Sequence, residues 1–185
     1  EDGMTLVSRQ GAWYFTDSRY IEAAGKQVTG AEVQMVETGR GYTVLINQVL
    51  EANGLKKVGF EEGIMTVADH TLYTDKLSCE LVPAQSVLTP LRSVKDRGQL
   101  EIMIRAQRIA EKALDEALGY LKPGMTETEV AARLTFDMMR FGARKMSFDP
   151  IVASGPNSSM PHAVPTDRKI QAGDFVTMDF GCIYG

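Results

Sequence analysis

The sequence predicts an α/β N-terminal domain, a mixed sheet flanked by helices, followed by an α+β domain. Three observations carry that reading. Up to Val82, short β-prone runs alternate with helix-period runs in the order β-β-α-β-α-β-α-β. Pro83 to Ser93 then brings two prolines and no regular period, which marks a domain boundary and divides the chain into residues 1–88 and 89–185. Beyond it, two amphipathic helices lead into strands and a polar loop.

In the first domain, Met4 to Arg9 and Ala12 to Thr16 read as a hairpin, with Gly11 expected to supply the positive φ of the turn. Asp17 or Ser18 is expected to cap a short helix through Ala24, and Glu32 to Glu37 to form a strand. Tyr42 to Asn53 places Val44, Leu45, Val49 and Leu50 at helical spacing and stops at Asn53-Gly54. Lys57 to Phe60 is a strand, Thr66 to Leu77 a helix with Val67, Leu72 and Leu77 inward, and Cys79 to Val82 the closing strand. His70 falls in that helix as an ordinary surface or boundary residue, and Asp17 and Arg19 read as a cap and a surface ion pair.

The second domain opens with the longest helix, about Lys95 to Leu121. Leu100, Met103, Ile104, Ala110, Leu114, Ala117, Leu118 and Leu121 form its apolar stripe. Lys122-Pro123-Gly124 ends it, Thr126 with Glu129 makes a capping box for a helix to about Phe141, and Gly142 stops that one. Met138, Met139 and Met146 read as core fillers.

Two pieces near the end carry the chemistry. Ser154 to Pro165 is a polar loop that pens His162, one of two histidines in the chain, between prolines. Gly173 to Gly181 reads as a strand with Phe175, Thr177 and Asp179 on one face and Val176, Met178 and Phe180 on the other. Both faces are mostly apolar, so the strand is expected to be covered on both sides and Asp179 to lie in or near the interior. There a carboxylate needs a partner, a hydrogen bond or a metal. Gly181 would let another group approach the backbone closely. Each residue also has a bland alternative, Asp179 as a solvated strand-end carboxylate and His162 as an exposed loop residue. Phe148 and Pro150 are candidates for an apolar subsite and equally for plain packing.

Ile151-Val152-Ala153-Ser154-Gly155, Pro161-His162, Gly173-Asp174 and Met178-Asp179-Phe180-Gly181 stand in an order that resembles the pita-bread (creatinase/prolidase-type) metallopeptidases, in the Xaa-Pro dipeptidase and aminopeptidase P branch. The piece from Tyr14 to Tyr20 resembles a junction in that family's N-terminal domain. The resemblance implies that Asp179 is the first of five metal ligands and that His162 lies over the metals, where it helps hold substrate and tetrahedral intermediate. It implies two divalent ions, Mn2+ first with Zn2+ or Co2+ as substitutes. Such a pair sits about 3.5 to 4 Å apart and clamps a developing oxyanion. It further implies short proline-containing peptides as substrates, cut before the proline, and a homodimer.

This sequence also departs from the family pattern. Only six residues follow Asp179, none of them a carboxylate or a histidine. By the resemblance the chain is therefore expected to be trimmed at both ends, its second domain being only the beginning of the α+β pita-bread catalytic domain, to lack four of the five ligands, and to hold no metal stably and turn over no substrate by itself. Two other readings stay open, a metal-free creatinase-like hydrolase and a non-catalytic pita-bread homologue that binds peptide or protein.

Composition narrows the classes further. The formal net charge of −4 argues against an electrostatic grip on nucleic acid. Cys79 and Cys182 are far apart and in no metal-binding spacing, so a reduced, cytoplasmic setting is expected. No apolar run approaches the length that spans a bilayer, so no membrane partner is expected.

Overall fold

The N-terminal hairpin forms as β1 (Gly3–Val7) and β2 (Ala12–Thr16), antiparallel, in a computed structural model that describes residues 3–185. Gly11 is not in the left-handed region; the turn closes instead through Ser8 N–H to the Gly11 carbonyl at 2.8 Å. α1 (Ile21–Gln27) follows, with Tyr20 rather than Asp17 or Ser18 at its N-cap. The Asp17 side chain is taken up by its neighbour, accepting from Arg19 N–H at 2.8 Å and pairing with the guanidinium at 2.6 Å, and those bonds hold its pKa below the usual carboxylate value. β3 (Glu32–Met35) lies parallel to β2, so this three-stranded sheet is mixed, as expected.

α2 (Tyr42–Ala52) buries Leu45, Ile46, Val49 and Leu50 against Leu6 and Phe15. Val44, expected inward, is exposed, and Ile46 takes its place because residues 45, 46, 49 and 50 form the stripe that faces the sheet. Asn53 and Gly54, the latter at φ 63°, end the helix as predicted. β4 (Lys57–Phe60) and β5 (Glu80–Pro83) pair in parallel as a separate two-stranded sheet around α3 (Val67–Lys76), which Thr66 caps through Asp69 N–H. α3 buries none of its residues: Val67 and Leu72 face outward, and only Leu77 packs on the core. The segment expected to be an irregular linker is a helix, α4 (Gln85–Ser93), with Pro90 inside it. The chain divides into two compact units between Val94 and Lys95.

The second unit is built on α5 (Arg97–Tyr120) and α6 (Glu127–Arg140). Both begin in a full capping box, Asp96 with Gln99 and Thr126 with Glu129. Ala110, Ala113 and Ala117 let α6 approach closely, and Val130, Leu134 and Met138 fill the seam with Val152 and Ile170. The predicted stripe of α5 holds only in its C-terminal half. Leu100, Met103, Ile104 and Leu118 are exposed, while Ile109 and Ala113 are buried. Of the three methionines, Met138 is fully buried, Met146 packs at the edge of the core, and Met139 is exposed. Two small antiparallel pairs complete the unit: β6 (Lys145–Met146) with β9 (Cys182–Ile183), and β7 (Ile151–Ser154) with β8 (Val176–Asp179). No helix among the described residues is long and apolar enough to cross a membrane.

Candidate active site

The His162 loop leaves the sheet at Ser154, the fully buried last residue of β7. Gly155, at φ 50°, turns the chain, and Pro156 enters a 3-10 turn over Gly155–Ser159. Ser158 and Ser159 hydroxyls donate back to the Gly155 and Pro156 carbonyls at 2.6 and 3.0 Å, so the turn closes on its own side chains. A second turn, Ala163 N–H to the Met160 carbonyl at 3.2 Å, brackets Pro161 and His162. Ala163 is buried and His162 is exposed, which leaves the imidazole at the tip with its loop pinned on both sides.

One carboxylate does the pinning. Glu127, first residue of α6, is fully buried and accepts bonds from both ends of the loop. Its Oε1 takes Ser154 N–H at 2.7 Å, Ser154 Oγ–H at 2.8 Å and Asn157 Nδ2–H at 3.1 Å. Its Oε2 takes Thr166 N–H at 3.0 Å and Thr166 Oγ1–H at 2.6 Å. The returning limb in turn caps the helix, since Glu127 and Thr128 amides donate to the Arg168 and Thr166 carbonyls, both at 3.2 Å. Burial alone would raise the pKa of Glu127. The bonds from Thr166, Ser154 and Asn157 outweigh it and bring the value from 4.5 to about 2, so the group is a carboxylate at neutral pH.

Arg168 fastens the same loop to the turn that leads into β8. Its guanidinium donates to Ser154 Oγ at 2.6 Å and to Asp174 Oδ2 at 2.7 Å, and Asp174 also accepts Gln171 N–H at 2.8 Å. The bond from Arg168, then that from Gln171, hold Asp174 below the usual carboxylate value. The Gly173-Asp174 pair singled out in the sequence is thus a turn that anchors an arginine. A Cβ at Gly155 would stand 2.5 Å from Arg168 Nη2 and 2.7 Å from Asp174 Oδ1, in a backbone region that side chains disfavour. Gly155→Ala is therefore expected to cost about 2 kcal/mol of stability in urea denaturation. A loss under about 0.5 kcal/mol, the level of an ordinary surface change, would show that the Arg168–Asp174 clamp yields freely.

Asp179 departs from its expected setting. Phe175, Thr177 and Asp179 do share a face of β8, but that face is exposed, Phe175 at 85%, and the Asp179 carboxylate makes no hydrogen bond or ion pair among the described residues. The opposite face, Val176, Met178 and Phe180, packs on the α5–α6 core. The alternation holds; one layer of helices covers one face, and no second layer covers the other among the described residues. Thr177, two residues before Asp179, donates its hydroxyl to the Ser158 carbonyl at 3.2 Å, so the His162 loop is tied to the face that carries Asp179. No bond joins His162 to Asp179 directly. Phe148, in the segment after β6, lies beside Gly181 just past the end of β8, its ring 3.5 Å from where a Cβ on Gly181 would stand, with Ser147 N–H bonded to the Gly181 carbonyl at 3.0 Å. Gly181 does admit a close neighbour, and the neighbours are Ser147 and Phe148.

Among the described residues no three His, Cys, Asp or Glu side chains cluster, and Asp179 is a single unpartnered carboxylate. One hard ligand does not fit a dinuclear site. Glu127, Asn157, Thr166 and Arg168 are not among the residues that the sequence marks for chemistry. An available signal was a second acidic residue inside the Thr126–Glu129 box, which the box itself has no use for.

Comparison with known proteins agrees with this architecture. Residues 1–94 match the Creatinase/Prolidase N-terminal domain and residues 101–185 match Metallopeptidase family M24. The chain is 39% identical over 183 residues to the uncharacterized peptidase YqhT of Bacillus subtilis, covering 98% of this chain and 51% of that protein. It is also 39% identical over 105 residues to an Xaa-Pro dipeptidase of Pyrococcus furiosus, which covers 57% of this chain and 30% of that one. Among solved structures it superposes on an Xaa-Pro dipeptidase from Bacillus anthracis with a TM-score of 0.92 at 34% identity, over 100% of this chain and 51% of that one. An X-Pro aminopeptidase from Thermotoga maritima gives 0.90 at 31% identity, over 98% of this chain and 51% of that one. The chain thus spans about half the length of these full-coverage relatives. It belongs to the creatinase/prolidase metallopeptidases, carrying their N-terminal domain followed by the start of the M24 pita-bread domain.

Proposed function

We propose that the chain contributes the N-terminal domain and the front of the catalytic domain to a metal-dependent Xaa-Pro peptidase, which cuts short peptides before proline. The observation that carries this reading is the tie between Thr177 and Ser158, which holds the His162 loop to the exposed face of the strand bearing Asp179. The names of the relatives, Xaa-Pro dipeptidase and X-Pro aminopeptidase, support the reaction class. In this reading Asp179 is one ligand of a pair of divalent ions, Mn2+ first, and His162 stabilises charge at the scissile carbonyl. Phe148 lines the apolar side of the substrate cleft, and the working protein is a cytoplasmic homodimer.

What favours a peptidase over a binding module is that Asp179 and His162, the two positions the family resemblance assigns to metal and substrate, are both intact in this sequence. A creatinase-like hydrolase differs in needing no metal. The test is an assay of the intact protein, with and without added Mn2+, on an Xaa-Pro dipeptide, an Xaa-Pro-Xaa tripeptide and creatine. Metal-dependent release of the residue before proline is the expected result; metal-independent creatine hydrolysis would replace the proposal with the creatinase reading. The 185-residue polypeptide itself, with Asp179 as its single candidate ligand, is expected to show no turnover in the same assay.

A further inference from the structure

We propose that Glu127 is a positioning residue for His162, its carboxylate setting where the imidazole stands over a bound substrate. The proposal rests on the peptidase reading for its consequence and on geometry for its cause. Both ends of the loop, Ser154 and Thr166, bond to the same side chain through backbone and hydroxyl alike, one end on each oxygen, and Asn157 bridges the two at 3.1 and 3.3 Å. The side chain is fully buried and stands on the first turn of a 14-residue helix, so the staple has a rigid base. No described hydrogen bond reaches the His162 side chain itself, so its place follows from the loop, and the Arg168 guanidinium, the second clamp, bonds to Ser154, Asp174 and the Lys169 carbonyl and so grips only the first residue between Ser154 and Thr166. The carboxylate is not needed to cap α6, since the Thr126–Glu129 box already does so, and its bonds all go to the loop.

A group that places a charge-stabilising side chain acts on the transition state more than on substrate binding, so its loss falls on kcat rather than KM. A displacement of the order of an ångström is enough for about a 100-fold loss. Glu127→Gln keeps the size of the side chain but turns an amide NH2 toward groups that are themselves donors. Thr166→Val removes one hydroxyl from the staple, and Thr166→Ser keeps it.

The test uses the intact protein loaded with Mn2+ and an Xaa-Pro dipeptide, together with hydrogen exchange resolved to single amides. For Glu127→Gln, kcat is expected to fall about 100-fold with KM within a few-fold and metal content unchanged. The Ser154 and Thr166 amides should exchange at least about tenfold faster, while Ala113 and Ala117 in α5 stay protected. Thr166→Val is expected to move the same quantities in the same direction by less, and Thr166→Ser to restore them; this pair decides the matter if Glu127→Gln does not fold. Wild-type kcat with unchanged loop exchange in a folded variant overturns the proposal. Faster loop exchange with wild-type kcat overturns it too, leaving the staple as structural only. If the wild-type protein cleaves no Xaa-Pro peptide, the peptidase reading fails and the positioning role with it. The exchange data then still report whether the carboxylate holds the loop.

Discussion

Replacing Asp179 with alanine in the intact protein is expected to lower the bound metal by at least one ion per chain and to reduce kcat/KM on an Xaa-Pro dipeptide by about 1,000-fold or more. A metal that polarises a carbonyl supplies several kcal/mol of transition-state stabilisation, and each 1.36 kcal/mol is a factor of ten. What makes the experiment clean is the exposure of the residue. Asp179 stands on the open face of β8 with no hydrogen bond or ion pair among the described residues. Its removal is thus expected to leave stability within about 0.5 kcal/mol, as for an ordinary surface change. Loss of activity with an unchanged melting curve assigns the carboxylate to the chemistry. Normal metal content with activity within tenfold of wild type removes Asp179 from the ligand set, and the peptidase assignment loses its central residue.

The contrast between Asp179 and Glu127 shows what the sequence could and could not deliver. Alternation along Val176–Asp179 gave the faces of the strand, because the side-chain period of a strand is a local property. It did not give which face is covered, since cover comes from residues distant in sequence. For the same reason α5 was found with nearly correct ends, fixed by a box and a Lys-Pro-Gly stop, yet its apolar residues from Leu100 to Ile104 were assigned to a core they do not join. Glu127 was passed over because a glutamate in the first turn of a helix is ordinary on dipole grounds alone. Its partners lie 27 to 39 residues on, and spacing rules do not reach that far. The helix at Gln85–Ser93 is masked in the sequence by Pro90, a breaker in a helix interior, whereas α4 carries it on a stretch exposed from Ser86 onward.

Glu127→Ala is expected to be the most destabilising single change in the His162 region, about 4 kcal/mol at pH 7. Two backbone donors, on Ser154 and Thr166, lose their acceptor at once, and each buried polar group left unpaired costs about 1–3 kcal/mol. The effect should also depend on pH in a defined sense. The carboxyl titrates at 4.5 when free and at about 2 when folded. Its contribution is therefore fully present above pH 4.5 and is lost as the pH falls toward 2, because protonating it in the folded state surrenders bonds that the unfolded state never had. That difference in pKa corresponds to about 3 kcal/mol at most. Asp174, also held below its usual value, titrates in both proteins and drops out of the comparison. Urea denaturation of wild type and variant at pH 7, 4.5 and 2.5 should show the gap between them nearly constant over the first interval and narrowing by most of that amount over the second. A gap that stays the same down to pH 2.5 would mean that the carboxylate, though fully bonded, is not what holds the two ends of the loop together.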